Sequence, residues 1–171
     1  RAPIVVDRYW FKYDGEGYLR GFRSHLQLFD VAARKGEPLT SGPYDDETPA
    51  WSPDGKSIAF VGKRGTDPDR GNDTNVFVVE ARAGAAPRAL TSFEGEDGGR
   101  PVFSRDGKWI AYLQGDVKKF SAYRSDTLAV VPVAGGPARL LTASLDRAVS
   151  GPYAFSPDGT SIAFTGEYDG N

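Results

Sequence analysis

Acidic side chains are concentrated in two short polar segments of this 171-residue chain, residues 41–47 and 92–99. Neighbouring carboxylates can form a negatively charged rim that attracts cationic groups, such as the amino terminus of a peptide. Charge in exposed loops also occurs without any function, so ordinary solvation of these groups is the alternative interpretation. The candidate substrate-binding residues of the first interpretation are Asp45, Asp46, Glu47, Glu94, Glu96 and Asp97.

The residue types that most enzymes use for nucleophilic or metal-assisted catalysis are scarce. The chain has no cysteine and a single histidine, His25. Acyl transfer needs a nucleophile, a base that activates it and an oxyanion hole, and nothing in the sequence pairs His25 with a nucleophile. A Gly-x-Ser-x-Gly elbow does not occur, and a zinc site would need several His or Cys ligands. The sequence therefore predicts no catalytic residue, no metal site and no cofactor.

A third polar segment, residues 66–75, contains Asp67, Asp69 and Asp73. Carboxylate oxygens are the ligands that calcium prefers, so a calcium loop is one interpretation. The spacing does not match an EF-hand, however, and aspartate, asparagine and glycine are also the residues that form most turns. The pattern therefore favours an ordinary turn.

The elements that position these segments follow from two repeated phrases. The first is Ser-x-Asp-Gly followed by an apolar strand, which is typical of a β-hairpin with a tight turn. Its copies are 52 residues apart and begin at Ser52, Ser104 and Ser156. The second is an apolar strand followed by Leu-Thr, and its copies end 51 residues apart at Thr40, Thr91 and Thr142. Two markers with nearly the same period indicate stacked supersecondary units.

Each repeat contains two hairpins, and therefore four antiparallel strands, which is the make-up of a β-propeller blade. We predict an all-β fold, a β-propeller fragment of about three and a half four-stranded antiparallel blades. The predicted segments are a partial blade at 4–40, blades at 48–91 and 100–142, and the first half of a further blade at 152–171. Because propellers close with four to eight blades, we expect the remaining blades to come from a longer chain, from a second copy or from a nicked remainder of the chain.

Composition excludes several classes of partner. A net charge of −2 gives no basic surface for a nucleic acid, and the sequence has no apolar run of the roughly 18 residues that a membrane span needs. We therefore expect neither nucleic acid nor membrane as a partner. We expect a cytoplasmic location and leave a periplasmic one open.

Several stretches carry a resemblance to one enzyme family. Residues 51–60 (Trp-Ser-Pro-Asp-Gly-Lys-Ser-Ile-Ala-Phe), 76–79 (Val-Phe-Val-Val) and 87–91 (Pro-Arg-Ala-Leu-Thr) resemble the propeller repeats of the prolyl oligopeptidase family of serine peptidases. Residues 13–19, followed by His25-Leu26, and residues 64–70 make the chain most similar to the acylaminoacyl-peptidase type. The resemblance covers nearly the whole chain.

The resemblance implies a parent protein in which a propeller lies over a C-terminal α/β-hydrolase domain that carries a Ser, Asp and His triad. That domain is not in this sequence, so no catalytic residue can be transferred to it. The propeller of such enzymes shields the active site and restricts entry to short peptides. The implied partners are the hydrolase domain, the remaining blades and short peptides, with a homo-oligomer as a further possibility. The glutamate pair of dipeptidyl-peptidase relatives has no matching insertion here.

A second hypothesis belongs to a different class. The propeller of the Tol system uses similar repeats, so the chain could instead be a non-catalytic interaction propeller. A pectin-lyase propeller, the third interpretation, needs several metal-binding histidines and is disfavoured by the single His25.

Overall fold

A computed structural model describes residues 3–6, 8–15, 17–19, 21–71, 73–117, 125–145 and 147–166, without the side chains of Tyr13, Asp116 and Val117. Asn72 of the third polar segment, and residues 167–171 of the last predicted blade, therefore lie outside the described residues. The described part consists of strands, turns and irregular segments, with no helix. It accordingly contains no helix that could cross a membrane.

Fourteen strands occur in chain order. They are β1 (Lys12–Tyr13), β2 (Gly17–Tyr18), β3 (Gln27–Asp30), β4 (Lys35–Pro38), β5 (Asp46–Trp51), β6 (Ser57–Gly62), β7 (Asn75–Glu80), β8 (Arg88–Ala89), β9 (Gly95–Phe103), β10 (Trp109–Val117), β11 (Thr127–Pro132), β12 (Arg139–Leu140), β13 (Val149–Phe155) and β14 (Ile162–Gly166).

The strands form two complete four-stranded antiparallel sheets, β5-β6-β7-β8 and β9-β10-β11-β12, and three two-stranded hairpins. The hairpin β3–β4 is the second half of a blade and β13–β14 is the first half of another, as their positions in the repeat show. The hairpin β1–β2 pairs with neither. The first unit therefore contributes two blade strands, β3 and β4. The prediction of an all-β chain built from antiparallel four-stranded units is confirmed.

The Ser-x-Asp-Gly turns are locked by side chains in the same way in all three copies. In the first copy, the Ser52 hydroxyl donates to Asp54 Oδ1 at 2.7 Å and accepts the backbone N–H of Ser57 at 2.9 Å. Gly55 has φ of 69°, a conformation that glycine adopts without a steric penalty. The repeated serines are therefore structural groups of the turns that join the first two strands of each blade.

Three apolar clusters form the core, and each lies between two successive sheets. Ala59 and Val78 of one complete sheet pack against Ile110 and Tyr112 of the next. A second cluster joins β3–β4 to the first complete sheet, and a third joins the second complete sheet to β13–β14. Because the two complete sheets each pack on both faces, small side chains are needed where two sheets approach closely.

Ala59, Ala111 and Ala163 occupy the same position of the repeat, and substitutions there test this packing. Ala111 is fully buried against the hairpin β13–β14, so the substitution Ala111→Leu should overpack the contact and lower the free energy of unfolding by about 1–3 kcal/mol. Ala163 occupies the same repeat position but is exposed. Ala163→Leu should therefore change stability by less than about 0.5 kcal/mol in dilute solution. Urea denaturation of both variants measures this difference, and equal midpoints would show that the alanine does not lie in a close sheet-to-sheet contact.

Candidate functional site

Two sets of loops lie at the same end of the blades, which we call the entry end. One set leads into the innermost strands β5, β9 and β13. The other includes residues 63–71, which follow β6, the second strand of the first complete blade. The Ser-x-Asp-Gly turns lie at the opposite end because adjacent strands are antiparallel. The acidic segments of the sequence therefore lie at the entry end, where Asp45 and Glu47 are beside the segments that flank the hairpin β1–β2.

Two arginines and two aspartates fasten the segments flanking this hairpin to the first complete blade. Arg8 donates to both carboxylate oxygens of Asp69 at 3.1 Å. Arg23 bridges Asp45 and Asp69, each at 2.7 Å. Burial alone would raise the pKa of Asp69, but the hydrogen bonds from the two guanidinium groups outweigh it and hold the pKa below its usual value. The four charges compensate one another, so this cluster is a clamp.

The ion pairs of the clamp argue against a calcium loop at residues 66–75. Asp69 has both oxygens engaged by Arg8 and Arg23, and Asp67 forms an exposed ion pair with Arg70 at 3.3 Å. Among the residues that the structure describes, no group of three His, Cys, Asp or Glu side chains could hold a metal ion. Asp67 and Asp69 therefore pair with arginines, and Asp73 accepts a hydrogen bond from Asn75 at 3.3 Å, as in an ordinary polar turn.

A cleft of about 490 Å³ lies beside the clamp, between residues 8–24 and the first complete blade. We call it the hairpin cleft. Its wall combines apolar groups, namely Trp10, Leu19 and Phe22, with the charged groups Glu47 and Lys63 and the four clamp residues. Glu47 is exposed and Lys63 is half-buried, and within the described part of the chain neither forms an ion pair. The cleft therefore offers one free carboxylate, one free ammonium and an aromatic wall.

Asp46 serves a structural purpose beside this cleft. Its buried carboxylate accepts two hydrogen bonds from Arg64, at 2.8 and 2.6 Å. The Arg64 guanidinium also lies 5.0 Å from the centre of the Tyr44 ring and 5.4 Å from that of Phe60. His25 precedes β3, and its Nδ1 is 3.8 Å from Asp46 Oδ2. His25 therefore faces a carboxylate that Arg64 already occupies, and this geometry provides no activated nucleophile.

Asp97 occupies the same position one repeat later, but its surroundings differ. The backbone N–H of Asp46 donates to Ser24 O at 2.8 Å, and that of Asp97 donates to Thr74 O at 3.0 Å. Asp97 is fully buried, and neither of its carboxylate oxygens has a hydrogen-bond partner. Burial, with a smaller contribution from the charge of Asp73, raises the pKa of Asp97 to about 7. The Thr91 hydroxyl offsets part of this rise, although at 3.2 Å it donates to Asn75 Oδ1.

The six acidic residues thus do not form one exposed rim, as the sequence interpretation assumed. Asp46 and Asp97 are buried in strands and were wrong as rim residues, because the inner strands begin earlier than the sequence indicated. Asp45 is paired with Arg23. Glu96 is half-buried in β9, and Glu94 is exposed. The structure brings only Asp45 and Glu47 together, in the hairpin cleft.

Sequence reasoning missed the basic and aromatic residues of this site. They are Arg8, Trp10, Phe22, Arg23, Lys63 and Arg64. These residues lie outside the repeated phrases, so the period that reveals the blades gives no information about them. The available signal was an excess of arginine and aromatic residues before the first complete repeat.

No family model matches the chain. Among curated proteins, dipeptidyl-peptidase 5 of Arthroderma otae and of Arthroderma benhamiae are each 30% identical over 167 residues, covering 91% of this chain. The uncharacterized peptidase YuxL of Bacillus subtilis is 32% identical over 77 residues, which is 45% of the chain and 12% of YuxL. The chain spans only 22% of the length of the dipeptidyl-peptidases.

Solved structures agree on the fold. TolB of Agrobacterium tumefaciens has a TM-score of 0.60 and 26% identity, covering 86% of this chain and 47% of its own. TolB of Acinetobacter baumannii has a TM-score of 0.61 at 22% identity, covering 85% of this chain and 33% of its own. The tricorn protease has a TM-score of 0.62 at 16% identity. The match covers 83% of this chain and 13% of the protease chain. The β-propeller prediction is confirmed, and the chain is a propeller segment whose relatives in sequence are peptidases.

The unpaired carboxyl of Asp97 predicts a specific dependence of stability on pH. Its folded-state pKa of about 7 exceeds the ordinary value of 3.8, so the folded state holds a proton that the unfolded state has lost between these values. The contribution of Asp97 to stability is therefore intact at low pH and is lost as the pH rises towards 7. Asp97→Asn should leave the unfolding free energy unchanged near pH 4 and raise it by ~2–4 kcal/mol near pH 8.

Urea denaturation across this pH range measures the effect. The matched control is Asp46→Asn, which leaves Arg64 without its carboxylate and should destabilise the protein by about 3–5 kcal/mol at neutral pH. An Asp97→Asn variant that is less stable than the parent at pH 8 would contradict the raised pKa.

The clamp predicts that Arg8 holds the hairpin β1–β2 against the blade. Arg8→Gln removes the two-point contact with Asp69, so the hairpin should open more often, and trypsin should cleave after Lys12 several-fold faster. Arg82→Gln is the control, since Arg82 forms an ion pair with Glu80 on the surface of the same blade. Mass spectrometry of timed digests identifies the cleavage after Lys12. The same cleavage rate in both variants would show that Arg8 does not hold the hairpin.

Proposed function

We propose that this chain is the substrate-gating propeller portion of a serine exopeptidase or oligopeptidase of the acylaminoacyl-peptidase type. The observation that carries this proposal is the 30% identity to dipeptidyl-peptidase 5 over 167 residues, which covers 91% of this chain. In this proposal a catalytic α/β-hydrolase domain and the remaining blades lie outside these 171 residues and are the principal partners. The substrates are short peptides, and the location is cytoplasmic or periplasmic.

The described residues support a division of labour between binding and catalysis. Ser52, Ser104 and Ser156 each hold an aspartate and a backbone N–H of their own turn. His25 faces Asp46. Because each of these hydroxyls is committed to its own turn, the repeated serines do not supply the nucleophile that acyl transfer needs. We therefore assign peptide hydrolysis to the hydrolase domain of the parent protein.

The hairpin cleft is the part of this chain that we propose to contact the peptide. Because Arg8, Arg23, Asp45 and Asp69 neutralise one another, Glu47 is the carboxylate available for a free amino terminus. Lys63 can pair with a carboxylate of the ligand. Trp10 and Phe22 provide apolar area for a side chain. Of the six acidic candidates, we retain Glu47 as the direct contact and Asp45 as the residue that positions Arg23.

An interaction propeller is the second candidate function. Its support is the 26% identity to TolB of Agrobacterium tumefaciens over 86% of this chain, which is lower than the identity to the peptidases but covers a similar length. In that case the loops at the entry end would bind a protein partner, and the parent protein would not label as a serine hydrolase.

The proposed function is tested on the full-length polypeptide encoded by the gene that contains this sequence. That polypeptide should react with a fluorophosphonate probe and hydrolyse N-acetyl-aminoacyl or dipeptidyl p-nitroanilides, whereas the 171-residue chain should do neither. A full-length protein that neither labels nor hydrolyses these substrates would refute the peptidase proposal and favour the interaction propeller.

The role of Glu47 is tested in the same full-length enzyme. Glu47→Gln should raise KM about tenfold for dipeptidyl substrates with a free amino terminus, because it removes a charge-assisted contact worth about 1.4 kcal/mol. The KM for N-acetylated substrates should not change. Glu94→Gln is the control, since Glu94 is exposed outside the hairpin cleft. An equal rise in KM for both substrate types would count against an amino-terminus contact.

A further inference from the structure

Asp97 is a buried carboxylate at the contact between the two complete blades. Neither of its oxygens accepts a hydrogen bond, and among the described residues no Lys or Arg side chain forms an ion pair with it. Two hydroxyl groups beside it donate elsewhere. The Thr91 hydroxyl donates to Asn75 Oδ1 at 3.2 Å, and the hydroxyl of Tyr112 donates to Gln114 Oε1 at 3.3 Å. A buried charge without a partner is costly, so this carboxylate needs a proton or a cation.

Asp46, at the same position of the preceding repeat, obtains a positive charge from the chain itself. Arg64 forms an ion pair with it at 2.6 Å, and His25 Nδ1 is 3.8 Å from its carboxylate. Arg64 follows the ladder partner of Asp46 by two residues. His25 directly precedes the residue whose backbone N–H is bound by the threonine of the Leu-Thr phrase. Two definable positions of the repeat therefore provide the basic groups.

The second complete blade has other residue types at these two positions. Two residues after the ladder partner of Asp97, the sequence has Asp116 instead of an arginine. Asn75 directly precedes the residue whose N–H is bound by Thr91, where the first repeat has a histidine. An acid and an amide thus replace a guanidinium and an imidazole. These two positions give Asp97 no positive charge.

Oxygen atoms from separate segments lie together around this carboxylate. Asp73 is half-buried just before β7, and its negative charge adds to burial in raising the pKa of Asp97. The Asn75 amide nitrogen donates to Asp73 Oδ1 at 3.3 Å, and its Oδ1 is 3.2 Å from the Thr91 hydroxyl. The group comprises two carboxylates, one amide oxygen and one hydroxyl. Hard cations such as calcium prefer oxygen ligands of these kinds.

We propose that Asp97 and Asp73, with the neutral oxygens of Asn75 and Thr91, bind a calcium ion between the two complete blades. Two carboxylates balance the charge of a divalent cation. Calcium accepts irregular arrangements of oxygen ligands, whereas magnesium demands a near-ideal octahedron, so ligands on separate segments suit calcium better. With only two charged ligands, we expect a Kd on the order of 10⁻⁴–10⁻³ M.

This site differs from a contiguous calcium loop at residues 66–75. Asp73 is the one acidic residue of that segment that it uses, and Asp67 and Asp69 remain paired with arginines. The principal ligand, Asp97, belongs to β9. Bound calcium would fasten the start of β9 to the preceding blade, as Arg64 does for the start of β5. The proposal is independent of the proposed peptidase function.

Calcium titration of the chelator-treated 171-residue chain at pH 8 tests the proposal. About 5 mM calcium chloride should raise Tm by about 2–8 °C, and calorimetry should show one ion bound per chain. The same concentration of magnesium chloride should have a smaller effect. Asp97→Asn should abolish the shift in Tm. In chelator this variant should be more stable than the parent, so its lost response would not come from a lost fold.

Two further variants locate the ion. Asp73→Asn should weaken calcium affinity about tenfold, because it removes one of two charged ligands. Asp67→Asn is the matched control: it removes the same charge from the same polar segment, but Asp67 pairs with Arg70 at the surface, so the shift should be unchanged.

Three results would overturn the proposal. A parent chain that does not respond to calcium, while Asp97→Asn is the more stable at pH 8, would show that a proton neutralises the buried carboxyl. A shift that persists in Asp97→Asn would place calcium elsewhere. If Asp97→Asn does not fold, Asp73→Asn decides, since an affinity equal to that of Asp67→Asn would exclude this site.

Discussion

The two complete sheets of this protein are apolar on both faces, and the need to cover both faces governs the rest of the structure. Ala59 and Ala111 are fully buried because a neighbouring sheet lies directly against each of them. Ile58 and Phe60 point the other way from Ala59 and are buried against the preceding hairpin. A blade is therefore stabilised by its neighbours as much as by its own hydrogen bonds, which is why repeats of this kind are stable only in series.

A repeated set of hydrogen bonds keeps the successive sheets in register. The hydroxyls of Thr40, Thr91 and Thr142 accept the backbone N–H of Leu26, Val76 and Leu128 at 2.9–3.0 Å. The innermost strand of each following blade then donates a backbone N–H to the blade before it, as Asp46, Asp97 and Val149 do at 2.8–3.0 Å. The Leu-Thr phrase of the sequence is therefore the point at which one blade is fastened and the next begins.

These repeated contacts explain what the sequence could predict. The turns, the strand order and the close approach of two sheets at Ala59 and Ala111 follow from local sequence patterns that recur in every repeat. The site could not be predicted in this way, because its contacts occur once and join distant residues. Arg8 and Asp69 are 61 positions apart, and Arg64 has no equivalent arginine beside Asp97. The same repeat position is a paired aspartate at Asp46, an unpaired one at Asp97 and a valine at Val149.

Hydrogen exchange of the 171-residue chain tests most directly whether a neighbouring strand and sheet provide the stability of each blade. In dilute solution, the amides of β7 and β11 should exchange most slowly, since both strands are paired on both sides within complete sheets. The amides of β3 and β14 should exchange faster, because among the described strands each of these two pairs on one side only. Protection of β3 equal to that of β7 in dilute, monomeric solution would contradict this account, because it would show that a half-blade is stable without the strands and faces that cover it in the repeat.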